Sequence, residues 1–221
     1  MVPVVQLVRA SDCGSECRGF ESHRAPLQKI PANTYLRGFL LSQQETKTIN
    51  TYMSKHDNCR KHTSVLFVCL GNICRSPAAE GIMTHIVEKN NASQLFEIDS
   101  AGIGPWHVGE LPDRRMRSHG ADHGYDFSTR ARQICSDDLH RFDYIVVMDR
   151  ENYHEVAAIA EGQEERDKIH MMTEFATHHP SHSVVPDPYY GGDRGFELVI
   201  ELLEDACQGL FEHVLRKSGG L

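Results

Sequence analysis

VLFVCLGNICRSPAAEG, residues 65–81, is the stretch from which the rest of the chain is read. Val65 to Cys69 is an unbroken apolar run, the pattern of a short strand buried on both faces. Ser76 and Pro77 ahead of two alanines mark a helix start, because proline's fixed φ and missing N–H suit a first helical turn. Between the two lies Cys69-Leu70-Gly71-Asn72-Ile73-Cys74-Arg75-Ser76, with a thiol and a guanidinium at the ends of one tight loop. Gly71 takes backbone angles that other residues avoid, and Asn72 tolerates the left-handed region better than most. The loop can therefore curl with successive N–H groups pointing inward. Such a ring of N–H groups over a helix N-terminus is an anion site. Arg75 adds a planar fork that matches two phosphate oxygens.

The same field acts on Cys69. A thiol facing helix-end N–H groups and a guanidinium gives up its proton more readily than a free one. The resulting thiolate sits below the phosphorus of any phosphate held by Leu70, Gly71, Asn72, Ile73 and Cys74. That arrangement predicts covalent phosphoryl transfer: in-line attack, a phosphocysteine, and release by water. Ser76 can donate a hydrogen bond that makes the thiolate a better leaving group in the second step. The loop itself neutralises the phosphate, so this account requires no metal and no cofactor.

Outward from the loop, strand-like and helix-like segments alternate. SPAAEGIMTHIVEKN (76–90) reads as a helix and FEIDSAG (96–102) as a second strand. GELPDRRMRSHGADHG (109–124) reads as a loop leading into an exposed basic helix. FDYIVVMD (142–149) is a third strand, RENYHEVAAIA (150–160) a helix, and KIHMM (168–172) a short fourth strand. GFELVIELLEDACQGLFEHVLRK (195–217) places Phe196, Val199, Ile200, Leu203, Leu210, Phe211 and Val214 near helical period, as in a long amphipathic closing helix. Strands separated by helices predict an α/β fold: a doubly wound, four-stranded parallel sheet with helices on both faces, flavodoxin-like and three-layered.

The bulk composition narrows the function classes. The chain has 221 residues and a formal net charge of −8, which argues against a nucleic-acid partner, since phosphate-backbone binding needs a basic face. No run approaches the roughly 18 apolar residues of a membrane span. The opening MVPVVQLVRASD is interrupted by Arg9 and Asp12 and lacks a preceding basic region, so it is a poor signal peptide. The seven cysteines are odd in number and irregularly spaced. That pattern predicts free thiols in a reducing, cytoplasmic setting.

The composition changes near residue 60, which divides an N-terminal extension (1–60) from the domain proper (61–221). Residues 1–52 carry six Lys and Arg against four Asp and Glu, so the acidity lies in the second part. VVQLVRASDCGSECRGFESHRAP resembles the conceptual translation of a transfer-RNA gene, since Gly19-Phe20-Glu21-Ser22 is what a T-arm sequence encodes. The expectation is a disordered extension or a start placed too far upstream, with the natural protein beginning near Met53. Cys13 and Cys17 have no second pair at zinc-ligand spacing.

Expelling a substituted oxygen from phosphorus requires a proton donor. Asp187 stands between two prolines in Pro186-Asp187-Pro188-Tyr189-Tyr190-Gly191-Gly192, a stiff segment before the last helix. A carboxyl beside a bound phosphate dianion is held protonated and can donate. Tyr189, Tyr190 and Trp106, the single tryptophan, are candidates to wall a slot for a flat ring.

Together these residues resemble the low-molecular-weight protein tyrosine phosphatases, whose loop reads V-C-x-G-N-x-C-R-S-P. The similarity spans about residues 63–217 and includes DSAG (99–102), WHVGE (106–110), RARQI (130–134), FDYIVVMD and DPYYGG (187–192). It implies hydrolysis of phosphotyrosine in proteins, or of small aryl phosphates, by a monomer or weak dimer. Cys69 would be nucleophile, Arg75 phosphate ligand and Asp187 acid then base. Leu70, Trp106, Tyr189 and Tyr190 would touch the aromatic ring. The family often anchors its loop Asn through a Ser and a His. Ser100 fits the first, but Thr129 stands where the His falls, two residues before Ala131-Arg132-Gln133. Thr129 would supply a hydroxyl instead, or His123 would reach in from the preceding turn. Resembling enzymes also protect the nucleophile as a disulfide with their second cysteine, here Cys74. Asp149, at the end of the third strand, reads as a structural brace.

Several rivals share parts of this pattern. Arsenate reductases on this fold relay a disulfide through closely spaced downstream cysteines, whereas Cys135 stands alone. Protein arginine phosphatases carry Thr where this chain has Ile73, and lack the two tyrosines. A non-catalytic phosphate-binding module or a thiol redox sensor would not require Asp187.

Overall fold

The structure, a computed structural model, describes residues 62–179 and 181–217, all within a unit spanning Arg60–Leu221. The N-terminal extension, Cys13, Cys17 and the Met53 start lie outside the described residues. The elements are β1 (Thr63–Cys69), α1 (Arg75–Lys89), β2 (Phe96–Gly102), α2 (Arg114–Asp122), α3 (Ser136–Arg141), β3 (Tyr144–Val147), α4 (Arg150–Ile159), α5 (Gln163–Arg166), β4 (Ile169–Met171) and α6 (Asp193–Lys217), with 3-10 turns at Ser93–Leu95 and Met172–Phe175. All strand pairs are parallel, in the order β2-β1-β3-β4. This is the doubly wound sheet expected from the alternation of strands and helices. Among the described residues, no helix is long and apolar enough to cross a membrane.

Strand pleating explains the two layers. Val65, Phe67 and Cys69 join Val146, Met148 and the apolar face of α1 and α6 in one core. Leu66 and Val68 point the other way, with Ile145, Val147, Leu139 and Val156 in a second core. Successive strand side chains face opposite sides, so β1 must be apolar throughout if both faces are covered. Phe67, Ile82, Met83, Phe196 and Ile200 are fully buried, and each contributes about 1.5–3 kcal/mol through burial. Cys69 thereby belongs to the face covered by the two long helices.

The third strand is shorter than its apolar run. Phe142 is the residue that ends α3, and Asp149 turns the chain into α4 by accepting the Asn152 N–H at 2.7 Å. The short helices α3 and α5 were not anticipated from periodicity. One turn of helix offers too few positions for a 3.6-residue pattern to register.

β1 lies between β2 and β3, so the connections leaving these neighbours run in opposite directions. In such sheets the crevice at the carboxyl ends of the strands, where the winding reverses, is left open for ligands. The loop after β1 therefore emerges at the one place along this sheet where a pocket forms without disturbing the core.

Candidate active site

The loop between Cys69 and Arg75 is held by its neighbours' backbones. Ile103 N–H donates to Cys69 O at 3.0 Å, Gly104 N–H to Leu70 O at 2.9 Å, and Asp113 N–H to Ile73 O at 2.7 Å. Asn72 occupies the left-handed region with φ of 54°. Its buried side chain satisfies three partners. Nδ2 donates to Ser76 Oγ at 2.9 Å and to Ser100 Oγ at 2.8 Å, while Oδ1 accepts the Arg132 N–H at 2.9 Å. Side-chain bonding of this kind offsets the left-handed backbone. Ser76 Oγ lies 3.0 Å from Cys69 Sγ. Helix α1 starts with neither a side-chain cap nor an acidic residue in its first turn, so its leading N–H groups remain available to an anion.

The approach at Gly102 is close. A Cβ there would lie 2.9 Å from the Gly71 carbonyl carbon and 3.0 Å from Asn72 N. Both are backbone atoms in a loop pinned from three sides. Gly102→Ala is expected to displace the loop, costing about 1–3 kcal/mol of stability and weakening inhibition by inorganic phosphate. Denaturant titration and phosphate inhibition check this; unchanged phosphate inhibition would show that the loop tolerates the shift.

Arg75 is buried, with 3 % exposure. Its Nη1 donates to Asp149 Oδ2 at 2.6 Å and to Val185 O at 3.2 Å, and its Nη2 donates to Asp187 Oδ2 at 3.0 Å. Asp149 therefore does more than end a strand. It caps α4 with one oxygen and grips the guanidinium with the other. Its neighbours in sequence gave no sign of this, because the pairing spans 74 residues. The segment carrying Asp187 is tied to the sheet by Val185 N–H donating to Met148 O at 2.8 Å. Asp187 Oδ1 accepts the Tyr189 N–H at 3.0 Å.

These parts surround a cavity of about 240 Å³ lined by Cys69, Leu70, Gly71, Ile73, Cys74, Arg75, Trp106, His107, Asp187, Tyr189 and Tyr190. Trp106 is 66 % exposed and Tyr190 95 %. The indole covers Gly104, where any Cβ would fall 1.8 Å from the ring, so glycine there sets the tryptophan's position. Arg115, paired with Asp113 at 2.8 Å, sits over the Tyr189 ring at 5.5 Å. His107, held by Glu110 at 2.7 Å, also lines the cavity. The sequence reading missed it, although its place beside Trp106 in WHVGE was the available signal.

Most of the residues expected at the site are brought together here; His123 and Thr129, the two expected supports of Asn72, are the exceptions. His123 follows α2, and its Nε2 lies 2.8 Å from Glu197 and its Nδ1 3.4 Å from Glu204, both on α6. Hydrogen bonding to Glu197 raises its pKa. It clasps two helices and does not support Asn72, because the turn after α2 faces α6. Thr129 does not touch Asn72 either. Its hydroxyl donates to Glu80 Oε2 at 3.1 Å, and the same oxygen accepts from Ser100 Oγ at 2.6 Å. Glu80 is a further residue that the sequence reading missed. Cys69 and Cys74 carry free thiols, and burial, aided by Asp113, pushes the Cys74 thiol up.

A strand-loop-helix anion cradle, with a thiol at its floor and a carboxylic acid at its rim, defines the cysteine-dependent phosphatases among α/β proteins. The family model described as low molecular weight phosphotyrosine protein phosphatase matches residues 64–219. A Sus scrofa low molecular weight phosphotyrosine protein phosphatase is 38 % identical over 152 residues, which cover 68 % of this chain and 95 % of that one. A crystal structure of a protein tyrosine phosphatase from Entamoeba histolytica superposes with a TM-score of 0.67 at 42 % identity, covering 72 % of this chain and 99 % of that one. A structure described as a Drosophila arginine phosphatase superposes with a TM-score of 0.63 at 33 % identity, covering 68 % and 96 % of the two chains. This chain belongs to the low molecular weight phosphotyrosine protein phosphatase family, and it is a protein tyrosine phosphatase, a hydrolase.

Proposed function

We propose that the chain hydrolyses phosphotyrosine in proteins through a phosphocysteine on Cys69. The observation that carries this reading is the bond from Arg75 Nη2 to Asp187 Oδ2 at 3.0 Å, which brings the loop and the acid, 112 residues apart, to one cavity. The phosphate dianion sits on the loop N–H groups and takes the place of Asp187 at Arg75. Cys69 Sγ attacks phosphorus in line while the P–O bond to the tyrosyl group breaks, and Asp187 gives its proton to the departing oxygen. Water then attacks the phosphocysteine, Asp187 accepts the water's proton, and the S–P bond breaks to return the thiolate. Ser76 steadies that thiolate with its hydrogen bond. Trp106, Tyr189 and Leu70 favour a flat ring.

The substrate class is tested with phosphotyrosine, phosphoserine and phosphoarginine peptides in EDTA-treated buffer. Phosphotyrosine is expected to be turned over at least tenfold faster than either alternative, because a wide aryl ester meets three apolar walls, each good for about 1 kcal/mol. A preference for phosphoarginine would shift the reading to the activity named for the Drosophila structure. Absence of all turnover would leave a phosphate-binding module.

A further inference from the structure

We propose that Glu80 is a positioning residue for the nucleophile: its ionised carboxylate fixes the direction of a hydrogen-bond chain running through Ser100, Asn72 and Ser76 to Cys69. The proposal rests on Cys69 being the nucleophile.

The chain is short and buried. Glu80, Ser100, Asn72, Ser76 and Cys69 are all nine-tenths or more inaccessible. Their successive contacts are 2.6, 2.8, 2.9 and 3.0 Å. Donor counting then sets the polarity. An ionised carboxylate only accepts, so Ser100 must spend its single proton on Glu80 and turn a lone pair to Asn72. The Asn72 amide is thereby oriented, with both Nδ2 protons toward serines and Oδ1 toward the Arg132 N–H at 2.9 Å. Ser76 accepts one of those protons. Its own proton is left to choose between Ala101 O at 3.2 Å and Cys69 Sγ at 3.0 Å. A thiolate on Cys69 draws it. Each bond in the chain supports the next only while Glu80 accepts.

Protonating Glu80 reverses this logic. Oε2 receives both Ser100 and Thr129, so a proton carried on that oxygen turns one of these two bonds around. Ser100 is then no longer committed as an acceptor toward Asn72, which keeps Ser76 and the Arg132 N–H but loses one of the three bonds that hold its left-handed turn. Glu80 lies on α1. The groups facing it are Asp99 and Ser100 from β2, and Thr129 and Arg132 from the segment before α3. Burial pushes its carboxyl up to about 7; Asp99 adds to the rise, whereas Ser100, Thr129 and Arg132 oppose it. At position 129 the contact to Oε2 is a neutral hydroxyl.

The test compares kcat and KM for a phosphotyrosine peptide from pH 5 to 9 in the full-length wild type, Glu80→Gln and Thr129→His. The substrate's own ionisation is common to all three, so differences between profiles belong to the protein. In the wild type, kcat is expected to fall as pH drops through about 7. Glu80→Gln, which can both donate and accept, should erase that limb and lower kcat at pH 8 by on the order of tenfold with little change in KM. Thr129→His should move the limb toward acid, because an imidazolium beside the carboxylate keeps it ionised. A limb left in place by Thr129→His overturns the proposal, even if Glu80→Gln fails to fold. So does a Glu80→Gln enzyme with wild-type rate and profile. Cys69→Ser in the same assay separates the two readings. Retained turnover there refutes the nucleophile itself, whereas abolished turnover with an unmoved limb refutes only the role of Glu80.

Discussion

Cys69→Ser is expected to abolish phosphotyrosine turnover, by on the order of 10⁴-fold or more, while leaving phosphate binding largely intact. A serine hydroxyl is almost fully protonated at neutral pH, so the loop would hold the phosphate over a nucleophile that does not attack. The loop's own architecture does not depend on sulfur. Asn72 is held by Ser76, Ser100 and the Arg132 N–H, and β1 ends at this residue whatever its side chain. Binding of inorganic phosphate, read from the fluorescence of Trp106 at the cavity mouth, should therefore stay within about tenfold of wild type. Persisting turnover would place the nucleophile elsewhere. Loss of phosphate binding together with turnover would instead mean that the Sγ contact to Ser76 organises the loop.

Asp187→Asn is expected to lower kcat on phosphotyrosine by about 10²–10⁴-fold, the usual worth of a positioned general acid. The size of the loss should depend on the leaving group. A tyrosyl oxygen leaves poorly without a proton, whereas a nitrophenol leaves readily as the anion, so the deficit should shrink several-fold with p-nitrophenyl phosphate. Phosphate affinity should move the other way. Asp187 competes for Arg75 Nη2 at 3.0 Å, and an amide in its place removes that negative charge from the phosphate's own position. The gain is modest because the Asp187 side chain is 40 % exposed and solvent screens the pair. Equal losses on both esters, with unaltered phosphate affinity, would reduce Asp187 to a turn residue.

Much of this site was legible before any coordinates. A strand buried on both faces must be apolar throughout, and a helix start is marked by its own first residues, so the spacing from Cys69 to Ser76 already implies a loop over a helix N-terminus. Both signals are local, which is why β2, α1 and the long helix α6 were placed within one or two residues. The alternation of elements implied a parallel sheet, since parallel neighbours need crossovers. What the sequence by itself determined, then, is a loop over a helix N-terminus, with Cys69 and Arg75 at its two ends, and the fold class that carries it.

The tertiary structure decided which distant groups reach that cradle. Asp149 read as a structural brace at the end of a strand, and the residue it braces is Arg75, because β3 lies next to β1 and its carboxyl end opens at the same crevice. His123 looked like a candidate support and instead binds Glu197 and Glu204, because the turn after α2 is directed at α6. Glu80 carried no signal beyond its place in the helical segment 76–90, and it is buried against β2, hydrogen-bonded to Ser100. In each case the deciding contact joins residues 20 or more apart in the chain. Hydrophobic periodicity reports which face of an element is buried, but the partner across that face is chosen by sheet order and helix packing.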